Sequence, residues 1–233
     1  NCGAEAQLQV HAVDANTYVI RQSLCTNFEG PFLYLFFGQD TVLLEDTGAG
    51  GVDVAGAVQG VIDEVLMARG QAQINLLVLN SHGHGDHVAG NSMFQGLPGV
   101  EVVGSGVGDV ADYFGITDWP NENATLDLGG RELTLIPIPG HHPSHVALYD
   151  SQRRWLLTGD TLYPGRLYIS DFATYLQSIE KLVAFTEGLD VCAVMGTHIE
   201  MTQTPGVDFQ FGADEHPDEH GLSLTRDHLV ELR

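Results

Sequence analysis

The sequence predicts an α/β fold, and three observations carry that expectation. Apolar runs of strand length recur along the 233 residues, as in Phe32-Leu33-Tyr34-Leu35-Phe36-Phe37 and Ile74-Asn75-Leu76-Leu77-Val78-Leu79. Segments of helical spacing separate them, as in Val54, Val58, Val61, Ile62, Val65 and Leu66. Residues of metal-ligand type follow the apolar runs, the arrangement in which loops at one sheet edge build a site on a rigid scaffold. The two kinds of segment alternate in two halves, near residues 1–115 and 120–233, without a linker, a low-complexity tract or a clear repeat. One domain over residues 1–233 is therefore expected.

In chain order, residues 8–20 alternate loosely and contain Thr17-Tyr18-Val19-Ile20, which suits strands. The run 32–37 is a strand, Gly38-Gln39-Asp40 a tight turn, and Thr41 to Asp46 the hairpin partner. Thr47 to Gly51 is a loop, Asp53 caps the helix that follows, and Gly70 stops it. A strand at 74–79 leads into Ser81-His82-Gly83-His84-Gly85-Asp86-His87. Ala89 to Phe94 opens a short helix, Val100 to Val103 is a strand, and Gly106 to Phe114 has a helical pattern weakened by glycine. Further strands are expected at 133–138, 146–149, 154–157 and 191–195, a helix at 172–187, and a closing helix at 222–232 with Ser223 or Thr225 near its start.

Composition narrows the function. Hydrophobic residues make up 43% of the chain, enough for a packed core. No run approaches the roughly 18 apolar residues a membrane helix needs, so no transmembrane segment is expected. Lys+Arg 9 against Asp+Glu 31 gives a net charge of −22, and the single lysine is Lys181. A field of this sign repels nucleic acid and anionic membrane, so no nucleic-acid partner is expected and a small-molecule substrate is.

None of the three cysteines, Cys2, Cys25 and Cys192, sits in a CxxC pair, which argues against a thiolate metal site. Cys192, in an apolar run, reads as a small core residue. Cys2 and Cys25 can pair if the protein is exported. The chain starts at Asn1 without methionine, consistent with processing, and export is favoured over the cytoplasm.

The chemistry is concentrated in residues 81–87. Three imidazoles and a carboxylate crowd into six positions after a buried strand, and Gly83 and Gly85 let the loop curl so that several side chains meet. Imidazole nitrogen and carboxylate oxygen suit zinc and similar divalent ions. Three later segments add candidates: Pro139-Gly140-His141-His142-Pro143-Ser144-His145, Leu156 to Thr161 with Asp160, and Val194 to Glu200 with His198. His11, His216, His220 and His228 lie outside these motifs; His228 reads as surface, and His216 and His220 as part of a solvated acidic turn.

The loop resembles the HxHxDH signature of the metallo-β-lactamase-fold hydrolase superfamily, and the later segments resemble its remaining metal motifs in the same order, over roughly residues 30–220. The resemblance implies an αββα four-layer sandwich with two metals at one edge of the sheets. It implies that His82, His84 and His141 hold the first metal, that Asp86, His87 and His198 hold the second, and that Asp160 bridges them. Two Zn2+ ions are expected, with iron or manganese as alternatives. His142 and His145 are not expected to bind metal. His145 is either a strand-edge histidine or a residue behind the ligands or in contact with substrate. Tyr163 and Tyr168 are candidates to donate to a substrate carbonyl, or pack on the sheet edge.

The implied activity is hydrolysis of a small ester, lactone, thioester or related substrate by a hydroxide bridging two zinc ions. Water held there has its pKa lowered to about 7. Asp86 is the expected catalytic residue, orienting the nucleophile and shuttling its proton. In the family's zinc β-lactamases the position of Asp160 is usually cysteine or serine, which weakens that reading. The family's glutathione-thioester hydrolases usually carry a further basic helical region, whereas the 35 residues after His198 are acid-rich. The competing readings are β-lactamase or phosphodiesterase activity at the same site, an iron-dependent oxygenase or redox protein on the same scaffold, and a non-catalytic metal-binding module.

Overall fold

The computed structural model describes residues 2 and 4–233. The expectation attached to Asn1 lies outside them. Twelve strands form two sheets among the described residues. The first sheet contains β1 (Leu8–Asp14), β2 (Thr17–Gln22), β3 (Phe32–Phe37), β4 (Thr41–Glu45), β5 (Asn75–Leu79) and β6 (Val100–Val102), in that spatial order. The second contains β7 (Ala124–Asp127), β8 (Glu132–Pro137), β9 (Val146–Asp150), β10 (Trp155–Gly159), β11 (Ala193–Gly196) and β12 (Ser223–Leu224), ordered β12-β11-β10-β9-β8-β7. Hairpins join β1 to β4 antiparallel, whereas β4, β5 and β6 pair in parallel. In the second sheet only β10 and β11 are parallel.

The helices are α1 (Val54–Arg69), α2 (Gly85–Val88), α3 (Val107–Phe114), α4 (Phe172–Phe185) and α5 (Arg226–Glu231). Strand β3 shows why the layers stack as they do. It has no polar face, because both faces are covered. Tyr34 and Phe36 enter a core shared with Leu133, Leu135, Leu148 and Leu157 of the opposite sheet. Leu33, Leu35 and Phe37 face the other way, toward Val54, Val58, Val61 and Val65 of α1. On the outer face of the second sheet, Ile136, Ala147, Leu156 and Val194 meet Ile179, Leu182 and Val183 of α4 and Leu229 of α5. The order is helix, sheet, sheet, helix: the αββα sandwich.

Local chemistry sets the helix ends. Asp53 Oδ1 accepts from the Gly56 N–H at 2.9 Å, a cap worth about 1 kcal/mol, and Gly70 closes α1 at φ 63°. Arg131, 2% exposed, sits between the sheets, donating to Asp150, the Thr17 hydroxyl and the Asn16 carbonyl while its guanidinium lies over the Phe36 ring at 4.7 Å.

The structure corrects several expectations. The short polar strand β7 carries no hydrophobic run that would announce it. Residues 222–232 are not one helix: Ser223 and Leu224 pair with Met195 and Val194, and only Arg226–Glu231 is helical. Residues 89–94 hold only a 3₁₀ turn at Asn91–Met93. Cys192 is exposed rather than in the core, because the strand begins one residue later at Ala193. Cys2 and Cys25 are joined by a disulfide. No described helix is long and apolar enough to cross a membrane.

Candidate metal centre

The parallel strands β4 and β5 end side by side, and their ends anchor the histidine loop. Asp46 follows β4 in the left-handed region (φ 66°), a conformation that costs a non-glycine residue free energy unless its surroundings hold it. They do. Asp46 Oδ1 accepts from the Ser81 N–H at 2.7 Å, Oδ2 accepts from the Ser81 hydroxyl at 2.8 Å, and His87 Nδ1 lies 2.7 Å from Oδ2. From the other side, the Asn80 side-chain amide and the Thr47 hydroxyl donate to the His87 carbonyl at 2.7 and 3.0 Å. The loop is thus fixed by polar contacts inside the fold. The helical turn α2 then sets Asp86 and His87 side by side.

The second sheet supplies the other side chains from three strand ends. Gly140, at φ 137°, turns the chain after β8 where a Cβ would meet the Tyr175 backbone. The Ser170 hydroxyl donates to the carbonyls of Gly140 and His141 at 2.8 and 2.7 Å. Gly159, at φ 49°, ends β10 and presents Asp160, and a Cβ there would fall 2.4 Å from His145 Nε2. His198 follows β11.

These residues converge into two groups, His82, His84, His141 and Asp160, and Asp86, His87, Asp160 and His198. Within each, the ligand-type atoms lie within 4.8 Å of one another. In the first, His141 Nε2 is 3.2 Å from His82 Nε2 and 2.9 Å from His84 Nδ1, and Asp160 Oδ2 is 3.4 Å from His141 Nε2. In the second, Asp86 Oδ2 lies 3.1 Å from His87 Nε2 and 3.2 Å from His198 Nε2, and Asp160 Oδ1 lies 3.2 Å from His198 Nε2. Each carboxylate oxygen of Asp160 therefore faces a different group.

The donor set fits metal. The outward nitrogens of three rings are engaged by fixed acceptors: His87 with Asp46, His141 with the Tyr168 carbonyl at 2.6 Å, and His198 with the Glu29 carbonyl at 2.8 Å. That leaves the inward Nε2 atoms as lone-pair donors aimed at the group centres, the way ligating histidines are oriented. Lone pairs and carboxylates held this close repel one another unless protons or cations lie between them. The electrostatics of the side chains point the same way. Burial opposes protonation of His198, but the Asp160 charge and the hydrogen bonds that Asp160 and Asp86 accept from the ring outweigh it, pushing the imidazole up to about 10. Burial opposes protonation of His87 too, and Asp160 and Asp46 still raise it well above the usual range. Asp160 resists protonation despite its burial, held well down by His198 and His87. In the first group burial and neighbouring imidazoles hold His82 and His84 below the usual histidine range.

A cavity of about 240 Å3 opens onto both groups, lined by His84, Asp86, His141, Asp160 and His198, with Glu29, Tyr163, Tyr168 and Phe211 around them. Larger clefts of about 440 and 650 Å3 lie elsewhere and contain neither group. His145 does not reach the cavity. It is fully buried, with Nδ1 3.0 Å from the Thr161 hydroxyl and its ring 4.6 Å from that of His82, so the substrate-contact alternative falls. Tyr163 is 3% exposed and its hydroxyl donates to the Arg166 carbonyl, so it is not free to donate to a substrate. Tyr168 stays at the mouth with an exposed ring. His142 lies beside His84, ring centroids 4.8 Å apart, but belongs to neither group. His216 does not sit in a solvated turn; it stacks on Phe209 at 4.0 Å and pairs with Glu219 at 3.1 Å. His228 is exposed, as expected.

Sequence reasoning missed Asp46, Glu29 and Phe211. Asp46 carried one signal, an acid directly after an apolar strand; the other two come from loops whose approach to the site is set by tertiary structure alone.

The model of the metallo-beta-lactamase superfamily matches residues 28–224. A hydroxyacylglutathione hydrolase from Methylococcus capsulatus is 36% identical over 146 residues, covering 61% of this chain and 56% of that protein. Hydroxyacylglutathione hydrolase GloC from Haemophilus influenzae is 27% identical over 184 residues, covering 68% and 85%. The chain thus spans only about half the length of the first of these relatives. Among solved structures, a metallo-beta-lactamase from Hirschia baltica superposes with a TM-score of 0.62 at 16% identity, covering 83% of this chain and 91% of that one. One from Pontibacter korlensis superposes with 0.58 at 18% identity, covering 82% and 91%. At these identities the likeness is one of fold.

Proposed function

We propose that this chain, which belongs to the metallo-beta-lactamase superfamily, is a hydrolase that cleaves a small thioester, ester or lactone with the help of two zinc ions. The observation that carries the reading is the placement of Asp160, one carboxylate oxygen toward each group of histidines. The names of the curated relatives favour an acyl thioester within that set. His82, His84 and His141 would hold one cation, Asp86, His87 and His198 the other, and Asp160 both. Two divalent ions supply Lewis acidity and bring the pKa of water down to about 7.

The remaining work falls to the chain. Asp86, partly open to the cavity, orients the attacking water and accepts its proton. Asp46, the Tyr168 carbonyl and the Glu29 carbonyl keep three imidazoles in the tautomer that presents Nε2. His145 braces His82 from behind. The exposed rings of Tyr168 and Phe211 flank the entrance and shield the acyl group from water. The Cys2–Cys25 disulfide suits an oxidising compartment, in line with export.

The test is metal quantification followed by a panel of ester, lactone, thioester, β-lactam and phosphodiester substrates. Two equivalents of zinc and turnover of a carbonyl ester or thioester are expected. Stoichiometric iron with redox activity, or two metals with no turnover of any member, would overturn the reading.

A further inference from the structure

We propose that Glu29 sets the charge class of the substrate, admitting thioesters and esters whose leaving group is uncharged or cationic and turning away anionic ones. The proposal rests on the hydrolase reading and names the substrate class of that site.

Glu29 lies between β2 and β3, and its backbone is locked: its N–H donates to Asn27 Oδ1 at 2.9 Å and its carbonyl accepts from His198 Nδ1 at 2.8 Å. The carboxylate is not. It lines the cavity, belongs to neither metal group, and among the described residues has no hydrogen-bond or ion-pair partner. Asp86 and Asp160 have their charges compensated once cations are bound. Glu29 is left as a carboxyl group at the entrance outside both groups, its pKa raised from the ordinary range chiefly by burial, with His198 opposing that shift.

Among the described residues no lysine or arginine lines the cavity. Arg166 stands behind Tyr163 but is committed, donating to the Phe209 carbonyl and lying 3.7 Å from Glu200 and 3.4 Å from Asp208. The chain as a whole carries −22, so its long-range field has the same sign. The rest of the entrance is aromatic: Phe211 is 65% exposed and Tyr168 46%, and Phe28 packs edge-on against Phe211 at 5.1 Å. A carboxylate beside open aromatic faces receives apolar or cationic groups. Two like charges several ångströms apart at a protein surface discriminate by roughly ten-fold in a rate or binding constant.

The experiment uses zinc-loaded protein and one acyl group carried on three thiols: mercaptoethanol (neutral), cysteamine (cationic) and mercaptosuccinate (dianionic). Wild type is expected to show kcat/KM about ten-fold or more higher for the first two than for the dianion. Glu29→Gln, which keeps the backbone carbonyl to His198, should narrow that ratio several-fold at unchanged metal content, and Glu29→Lys should reverse it. A thioester of glutathione, with two carboxylates and one ammonium for a net charge of −1, should fall between the neutral thioester and the dianion. A wild type that prefers the dianion, or a ratio that neither variant moves, would overturn this proposal alone. No turnover of any of the three thioesters would overturn this proposal; the hydrolase reading falls only if the ester, lactone, β-lactam and phosphodiester members of the panel also fail.

Discussion

In the first histidine group three imidazoles meet one carboxylate oxygen, and His84 stands exposed with no described partner on its outer nitrogen. In the second, two buried imidazoles meet two carboxylates, and both outer nitrogens are held by fixed acceptors, Asp46 and the Glu29 carbonyl. The second group is the more negative and the more rigid. It should hold its cation more tightly, whereas the first, with one ring open to solvent, should exchange its cation more readily. A shared carboxylate does not make two sites equal; what stands behind each ligand separates them.

The largest effect should come from removing what the groups share. Asp160→Ala is expected to abolish turnover and lower the content of both metals, measured by elemental analysis beside a substrate assay. A fully active variant would contradict the bridging role. Next, Asp46→Asn should weaken the second group, whose His87 it holds directly, more than the first, which it reaches through Ser81, by about 10–100-fold in metal affinity, read by chelator competition. Equal weakening of both groups would erase the asymmetry. Third, stepwise chelation of the wild type should remove one equivalent before the other, and His84→Ala should lose the labile equivalent while keeping the tight one. Loss of both equivalents together would show the groups to be one cooperative unit. The smallest effect on metal belongs to His145→Ala. It should change rate and cost about 1–3 kcal/mol of stability, seen as a lower denaturation midpoint, with two equivalents retained.

The halves of the chain differed in how much they disclosed. His82, His84, Asp86 and His87 lie within six residues after an apolar strand, so their proximity is covalent and could be read directly. His141, Asp160 and His198 lie on three strand ends up to 57 residues apart, and the family resemblance, not spacing, placed them together. The layered fold followed from strands such as β3, which lack a polar face because helices and a second sheet cover them.

What stayed hidden depends on long-range contacts. Asp46 reaches Ser81 across 35 residues, and Glu29 reaches His198 across 169. Ser223 and Leu224 joined a sheet edge although their spacing also fits a helix, a case of tertiary pairing overriding local periodicity. Cys192 is exposed although it lies in an apolar run, because such a run says where side chains are greasy, not where the strand begins.

The most direct test of the central claim is anomalous diffraction at the zinc edge from crystals of the zinc-loaded protein. Two peaks are predicted, one among His82, His84 and His141 and one among Asp86, His87 and His198, with a different oxygen of Asp160 turned toward each. A single peak, or peaks that leave Asp160 to one side, would contradict it.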